Sequence, residues 1–127
     1  MINEFNIKTN SRNEIIDITS EVEDTVKGIK DGVVTIFVPH TTAAVTINEN
    51  ADEDVKNDIL KKLGRLIPQS DGYEHSEGNS DAHLKSSLIG CSINVIVKNG
   101  KLVLGTWQGV YFCEFDGPRD RKVIMRF

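Results

Sequence analysis

Asn99-Gly100 stands between two runs of strand-forming character, Cys91–Val97 and Lys101–Leu104, and obliges the chain to double back there. Asn and Gly both accept the positive φ angles of a two-residue hairpin turn, so the flanking runs pair as antiparallel strands. Gln108–Phe115 follows as the next strand. Gly117-Pro118-Arg119-Asp120 then turns the chain into a last one, Arg121–Phe127, with Val123, Met125 and Phe127 facing one way. Strands joined by turns this short leave no room for the crossovers that a parallel sheet requires.

The preceding part of the chain mixes strands with helices. Glu4–Thr9 alternates Phe5 and Ile7 with polar residues, the pattern of a half-buried strand, and Ile15, Ile16 and Ile18 make a second, short strand. Ser20-Glu-Val-Glu23 has capping-box spacing and starts a helix with Val22 and Val26 on one face, ending near Gly28 and the Asp31-Gly32 turn. Val33-Val-Thr-Ile-Phe-Val38 is almost continuously apolar and β-branched, which predicts a central strand buried on both faces, and Pro39 ends it. Ala44–Asn48 resumes as a strand. Asn50 is placed to cap a helix over Ala51–Leu63, where Val55, Ile59 and Leu63 share a face and Gly64 provides the break. A long polar connection over 65–79 leads to a helix that starts at Asn79 or Ser80, runs past Leu84 and Leu88 and stops at Gly90. The whole predicts one α+β domain over residues 1–127: an antiparallel β-rich sandwich of about eight or nine strands with about three flanking helices.

Composition narrows the function classes. A net charge of −4 argues against nucleic acid as the main partner. No apolar run approaches the roughly 18–20 residues of a membrane span. Met1-Ile-Asn-Glu-Phe5 has no basic stretch leading into an apolar one, so a cytoplasmic protein is expected. Cys91 and Cys113 form no CxxC pair and read as buried free thiols.

Chemistry concentrates in His75-Ser-Glu77-Gly-Asn79-Ser-Asp-Ala-His83-Leu-Lys85. A solvated loop has no need of histidine, and a core has no use for so many groups that each require a hydrogen bond. If His75–Asn79 is extended, His75, Glu77 and Asn79 point one way; on a helix, Asn79 and His83 lie one turn apart. His40, in Pro39-His40-Thr41-Thr42-Ala43-Ala44, is the third imidazole, and His40, His75 and His83 together would satisfy the minimum ligand set of a metal. Acid–base work by the same groups is equally open. Lys85 and Arg119, with Arg121, are candidate phosphate-binding cations, and Thr41 and Thr42 add hydroxyls. Gly105-Thr106-Trp107-Gln108-Gly109 brackets an aromatic ring and an amide that can line a pocket, although Trp107 suits a core equally well. Glu49 is a candidate site carboxylate at a strand-to-helix junction.

These motifs occur in an order that resembles the secondary thiamine-phosphate synthase family, the small YjbQ-like proteins, across nearly the whole chain. The matching stretches are His40-Thr41-Thr42-Ala43-Ala44, Asn48-Glu49-Asn50, the His75–Lys85 segment, Gly105-Thr106-Trp107-Gln108 and Glu114-Phe115-Asp116-Gly117-Pro118-Arg119. The resemblance implies a jelly-roll-type sandwich assembled as a homotrimer. It also implies a weak activity that joins a pyrimidine pyrophosphate to a thiazole phosphate and releases pyrophosphate. By position it carries His40, Glu49, His75, Glu77, Asn79, His83, Lys85, Gln108 and Arg119 into the site. A divalent metal, zinc or magnesium, is a candidate cofactor, and the expected ligand is a phosphorylated small molecule. Two other classes compete: a non-catalytic trimeric module that binds a metal or small ligand, and a structural trimer whose histidines pair across its interface.

Overall fold

Eight strands and three helices follow one another in a computed structural model that describes every residue from Met1 to Phe127. Strands β1 (Ile2–Lys8) and β2 (Glu14–Asp17) precede helix α1 (Thr19–Val26). Strands β3 (Asp31–Phe37) and β4 (Ala43–Glu49) lead into helices α2 (Glu53–Leu66) and α3 (Ser80–Ile89). Strands β5 (Ser92–Lys98), β6 (Lys101–Leu102), β7 (Gln108–Glu114) and β8 (Asp120–Arg126) complete the chain. Every pairing is antiparallel. Asn99 and Gly100 take φ values of 52° and 73°, which makes the expected hairpin between β5 and β6.

The strands sort into a five-stranded sheet, β1-β8-β3-β5-β6, and a three-stranded sheet, β2-β7-β4. The core lies between them. Val34 and Ile36 of β3, Val95 and Val97 of β5, and Val123 and Met125 of β8 meet Val45 of β4 and Val110 and Phe112 of β7, with Val22 and Val26 of α1 closing one side. A second apolar layer lies on the other face of the small sheet, where Ile15, Ala44, Tyr111, Cys113 and Phe115 meet Leu63 of α2 and Ala82 of α3. This is the expected α+β sandwich, with its helices on the three-stranded side.

Five local expectations need correction, the first being that Ser20 and Glu23 form no capping box: α1 starts at Thr19, with Ile18 at its N-cap and no side-chain cap bond. The strand buried on both faces is β7, in which Gly109–Glu114 are all buried. Strand β3 is central in its sheet, but nothing covers its outer face, so Val33 and Phe37 are exposed. Helix α2 is capped by Asp52, whose side chain accepts from the Asp54 amide at 2.9 Å, and it continues through Gly64. Residues His75–Gly78 make a turn rather than an extended segment, with Gly78 at φ +79°. Cys91 is exposed and only Cys113 is buried, both as free thiols.

Helix α3 is the most unusual element. Its periodic leucines, Leu84 and Leu88, are exposed, while Asp81, Ala82, Lys85 and Ser86 are buried. A helix turns a charged face inward only where each charge finds a partner. Arg12, in the β1–β2 connection, donates to Asp81 from both terminal nitrogens at 3.1 Å, and Lys85 Nζ donates to Asp81 at 3.1 Å. Burial works against the Asp81 charge, but the bonds from Arg12 and Lys85 outweigh it and hold the carboxyl below its ordinary range.

Candidate functional site

A buried ion pair lies beneath the site. Glu114, at the end of β7, is fully enclosed and accepts from Thr9 Oγ1 at 2.7 Å and from Arg121 Nε at 2.8 Å. Its other oxygen accepts from Arg121 Nη2 and from the Phe115 and Asp116 amides, both at 3.0 Å. Arg121 Nη2 also donates to Thr42 Oγ1 at 2.8 Å. Burial alone raises a carboxyl's pKa, but here the bonds from Arg121, the Asp116 amide and Thr9 prevail and Glu114 lies below its usual range. One network thus ties the ends of β1, β7 and β8 to the entrance of β4. Gly117 completes it, because a Cβ there would meet the Ser11 carbonyl oxygen at 2.2 Å.

His40 stands above this network, in the β3–β4 connection. Its Nε2 accepts from the Lys122 amide at 2.9 Å, and that bond assigns the ring proton to Nδ1. Burial, reinforced by the charge of Arg121, lowers its pKa below the ordinary value, so the imidazole is neutral near neutrality. From the opposite wall, the N-terminal end of α3 presents Asn79 and His83. Asn79 makes no side-chain cap bond to its helix; its Nδ2 instead donates to Asp116 Oδ2 at 2.9 Å. Asp116 Oδ2 also receives Arg119 Nη2 at 2.9 Å, and Arg119 Nε donates to the Asp116 carbonyl at 2.7 Å. With Nδ2 committed to a carboxylate, Asn79 Oδ1 is left buried without a partner. An orphaned acceptor of this kind favours a donor or a cation from a ligand.

These groups enclose a polar cavity of about 380 Å³, bounded by Pro39, His40, Thr41, Thr42, Glu77, Asn79, His83, Asp116, Arg119 and Arg121. Eight residues singled out from the sequence therefore meet: His40, Thr41, Thr42, Glu77, Asn79, His83, Arg119 and Arg121. His75 lines an adjoining cavity with His83, their rings edge to face at 5.6 Å between centroids, and its Nε2 lies 3.5 Å from Glu77 Oε2. Lys85 is not on the cavity wall; its ammonium is turned toward Asp81 and Asn13 and sits 5.9 Å from the Phe115 ring centre.

Glu49, Trp107 and Gln108 gather elsewhere. Glu49 pairs with Gln108 at the end of the β4–β7 ladder opposite Ala43 and Glu114, about 20 Å away by the rise of an extended strand. Gln108 Oε1 accepts from the Gly105 amide at 2.7 Å, and Trp107 is 62% exposed rather than part of a core. Nor do three imidazoles converge within one chain: no group of three or more His, Cys, Asp or Glu side chains assembles at ligating distance. Arg12, Asp81, Glu114 and Asp116 are the residues that sequence reasoning did not single out as site-forming. Each has at least one partner remote in the chain: Arg12 and Asp81 are separated by 69 positions, Asn79 and Asp116 by 37, and Thr9 and Glu114 by 105. The one local signal was the Glu114–Arg119 run.

A family model described as UPF0047 protein YjbQ-like matches residues 3–127. The UPF0047 protein YugU of Bacillus subtilis is 55% identical over 129 residues, covering 99% of this chain and 98% of its own length. The UPF0047 protein MJ1081 of Methanocaldococcus jannaschii is 53% identical over 128 residues, covering 99% of this chain and 93% of its own. A crystal structure of an uncharacterized conserved protein of the yjbq/upf0047 family from Clostridium acetobutylicum aligns with a TM-score of 0.95 at 54% identity, over 98% of both chains. A YbjQ-like protein of unknown function from Sulfolobus solfataricus P2 aligns with a TM-score of 0.94 at 36% identity, over 98% of this chain and 94% of that one.

Proposed function

The chain belongs to the YjbQ-like UPF0047 family, and on that footing we propose that it is an enzyme acting on phosphorylated or pyrophosphorylated small molecules. The specific activity proposed is of thiamine-phosphate synthase type: a pyrimidine pyrophosphate is joined to a thiazole phosphate and pyrophosphate leaves. The observation that carries the reading is the polar cavity, which sets His40, His83, Asn79 and Arg119 around one volume on a buried, fully bonded base.

In such a transfer the thiazole ring nitrogen bonds to the benzylic-type carbon of the pyrimidine as the bond from that carbon to the pyrophosphate oxygen breaks, and negative charge builds on the leaving group. Preformed donors that meet this charge lower the barrier. Arg119 offers a guanidinium fixed by Asp116, and neutral His40 offers its Nδ1–H. His83, on the helix end between the two cavities, is the group assigned to donate a proton to the departing pyrophosphate. Arg119 and Arg121 face Glu77 and Asp116 around the cavity, so ligand recognition relies on where donors stand rather than on net charge.

Of the two candidate metals, magnesium fits these donors better than zinc. Asn79 Oδ1 lacks a partner, Glu77 and Asp116 share its cavity, and His40 Nε2 is already engaged by the Lys122 amide. Magnesium takes one or two carboxylates together with substrate phosphate oxygens, and when bound it would neutralise pyrophosphate charge. A homotrimer and a cytoplasmic setting belong to the same reading. The exposed apolar row Val33, Ile96 and Val103 on the outer face of the five-stranded sheet is the surface assigned to subunit contact. No helix is long and apolar enough to cross a membrane. Thiamine-phosphate formation by the purified protein and by His83→Ala tests the activity: turnover should fall at least about a hundredfold in the variant, and unchanged turnover would remove His83 from the mechanism.

A further inference from the structure

Beside the polar cavity lies a second one of about 460 Å³, bounded by Tyr73, Glu74, His75, Ser80, His83 and Leu84. His83 borders both, so the two volumes adjoin at one imidazole. Their chemistries differ. The polar cavity is walled by hydroxyls, carboxylates, guanidinium groups, an amide and the His40 and His83 imidazoles, whereas its neighbour sets a phenol ring and an aliphatic side chain beside the His75 and His83 imidazoles, with one carboxylate, Glu74, and one hydroxyl, Ser80.

Leu84 is 47% exposed on a helix that buries Asp81 and Lys85, so the leucine is displayed at the cavity rather than packed. The Tyr73 hydroxyl donates a hydrogen bond to the Pro68 carbonyl at 2.6 Å, which commits its polar end to the loop and leaves the ring as a wall. The His75 and His83 rings stand at 89° to each other, so a flat group entering the cavity meets one ring by its face and the other by its edge. Aromatic walls set at right angles favour a planar guest over a flexible chain. The volume is within the range of small-ligand pockets, roughly 300–1,000 Å³.

We infer that this second cavity is the ring-recognition lobe of the site: it takes the planar, unsaturated part of a ligand whose phosphoryl group occupies the polar cavity across His83. The inference rests on the proposed reading of the polar cavity as a phosphoryl site, and it assigns specificity to Tyr73 and Leu84. Nothing in the buried networks depends on either residue, so their replacement leaves the phosphoryl side intact.

Calorimetric titration of the full-length protein with inorganic phosphate, n-butyl phosphate and phenyl phosphate tests it. Phenyl phosphate should bind about tenfold tighter than inorganic phosphate and tighter than n-butyl phosphate. In Leu84→Ser that preference should shrink about threefold or more while inorganic phosphate binds as before. Tyr73→Leu, which keeps an apolar wall but removes the ring, should bring phenyl and n-butyl phosphate to similar affinity. Phenyl phosphate preference unchanged in both variants, or n-butyl phosphate equal to phenyl phosphate in the wild-type protein, would overturn the lobe and leave the phosphoryl site standing. Failure of all three probes to bind the wild-type protein would overturn the phosphoryl site, and the lobe with it.

Discussion

Replacing Arg121 with methionine should cost this fold more than almost any other single change near the site. The Arg121 side chain is 5% exposed and faces Glu114, which is fully buried. Methionine fills much of the same volume but leaves the Glu114 carboxylate with only the Thr9 hydroxyl and two amides as partners. Leaving one member of a buried ion pair uncompensated costs about 3–5 kcal/mol. Small domains have only about 5–15 kcal/mol of total stability. For a chain of this size the loss corresponds to a fall in Tm of roughly 10–20 °C.

The pH dependence sharpens the test. In the native protein the pKa of Glu114 is depressed below 4.5, so its stabilisation is complete above that value and is lost as the pH falls through the folded pKa. Without Arg121, burial is opposed only by Thr9 and the backbone amides, so the pKa of Glu114 rises from its native position and protonation on acidification relieves part of the cost of the unpaired charge. Scanning calorimetry should therefore find a wide gap in Tm between the two proteins near pH 7, narrowing toward about pH 4. Arg121→Lys, which keeps the charge but not the two-pronged contact, should fall between them. A gap under about 3 °C at neutral pH, or one that widens with acid, would refute the view of this pair as the base of the site.

Other expectations follow from particular contacts. Gly117→Ala forces a methyl against the Ser11 carbonyl and should lower Tm by roughly 4–11 °C, whereas Gly28→Ala, with nothing within 4 Å of the added atom, should change it little. Light scattering should give the mass of three chains for the native protein, and Ile96→Lys, on the apolar row of the outer sheet face, should shift it toward one. A thiol reagent should label Cys91 promptly and Cys113 only after unfolding, since Cys113 is buried and its pKa is pushed up to about 12. Labelling of both cysteines in the folded protein would contradict the packing of the small sheet.

The hairpin at Asn99-Gly100 and the apolar face of α1 were legible because each rests on neighbours in the chain; the short C-terminal turns pointed to the antiparallel class, but of those strands only β5 and β6 pair, while β7 and β8 enter different sheets beside strands remote in the chain. The inward face of α3 was not. Spacing Leu84 and Leu88 four apart is the ordinary sign of a buried stripe, and what overrides it is Arg12, brought in from 69 positions away to neutralise Asp81. The same holds for β3 and β7. Composition marks Val33–Val38 as the doubly buried strand, but burial depends on which sheet receives a covering layer, and α2 and α3 cover β7. At the site, polar residues of unusual density pointed to His40, Glu77, Asn79, His83 and Arg119, which do converge. Lys85, Glu49, Trp107 and Gln108 were chosen for chemical type, and type alone does not reveal that Lys85 faces Asp81 or that the other three sit at the far end of the β4–β7 ladder.

The most direct test of a phosphoryl-binding cavity is calorimetric titration of inorganic pyrophosphate, with magnesium present, into the native protein, Arg119→Ala and Lys101→Ala. Lys101 lies on the distant β5–β6 hairpin and serves as a cation removed from elsewhere on the surface. Saturable binding that weakens at least about tenfold in Arg119→Ala and stays unchanged in Lys101→Ala is the predicted result. Binding absent from the native protein, or lost equally in both variants, would contradict it.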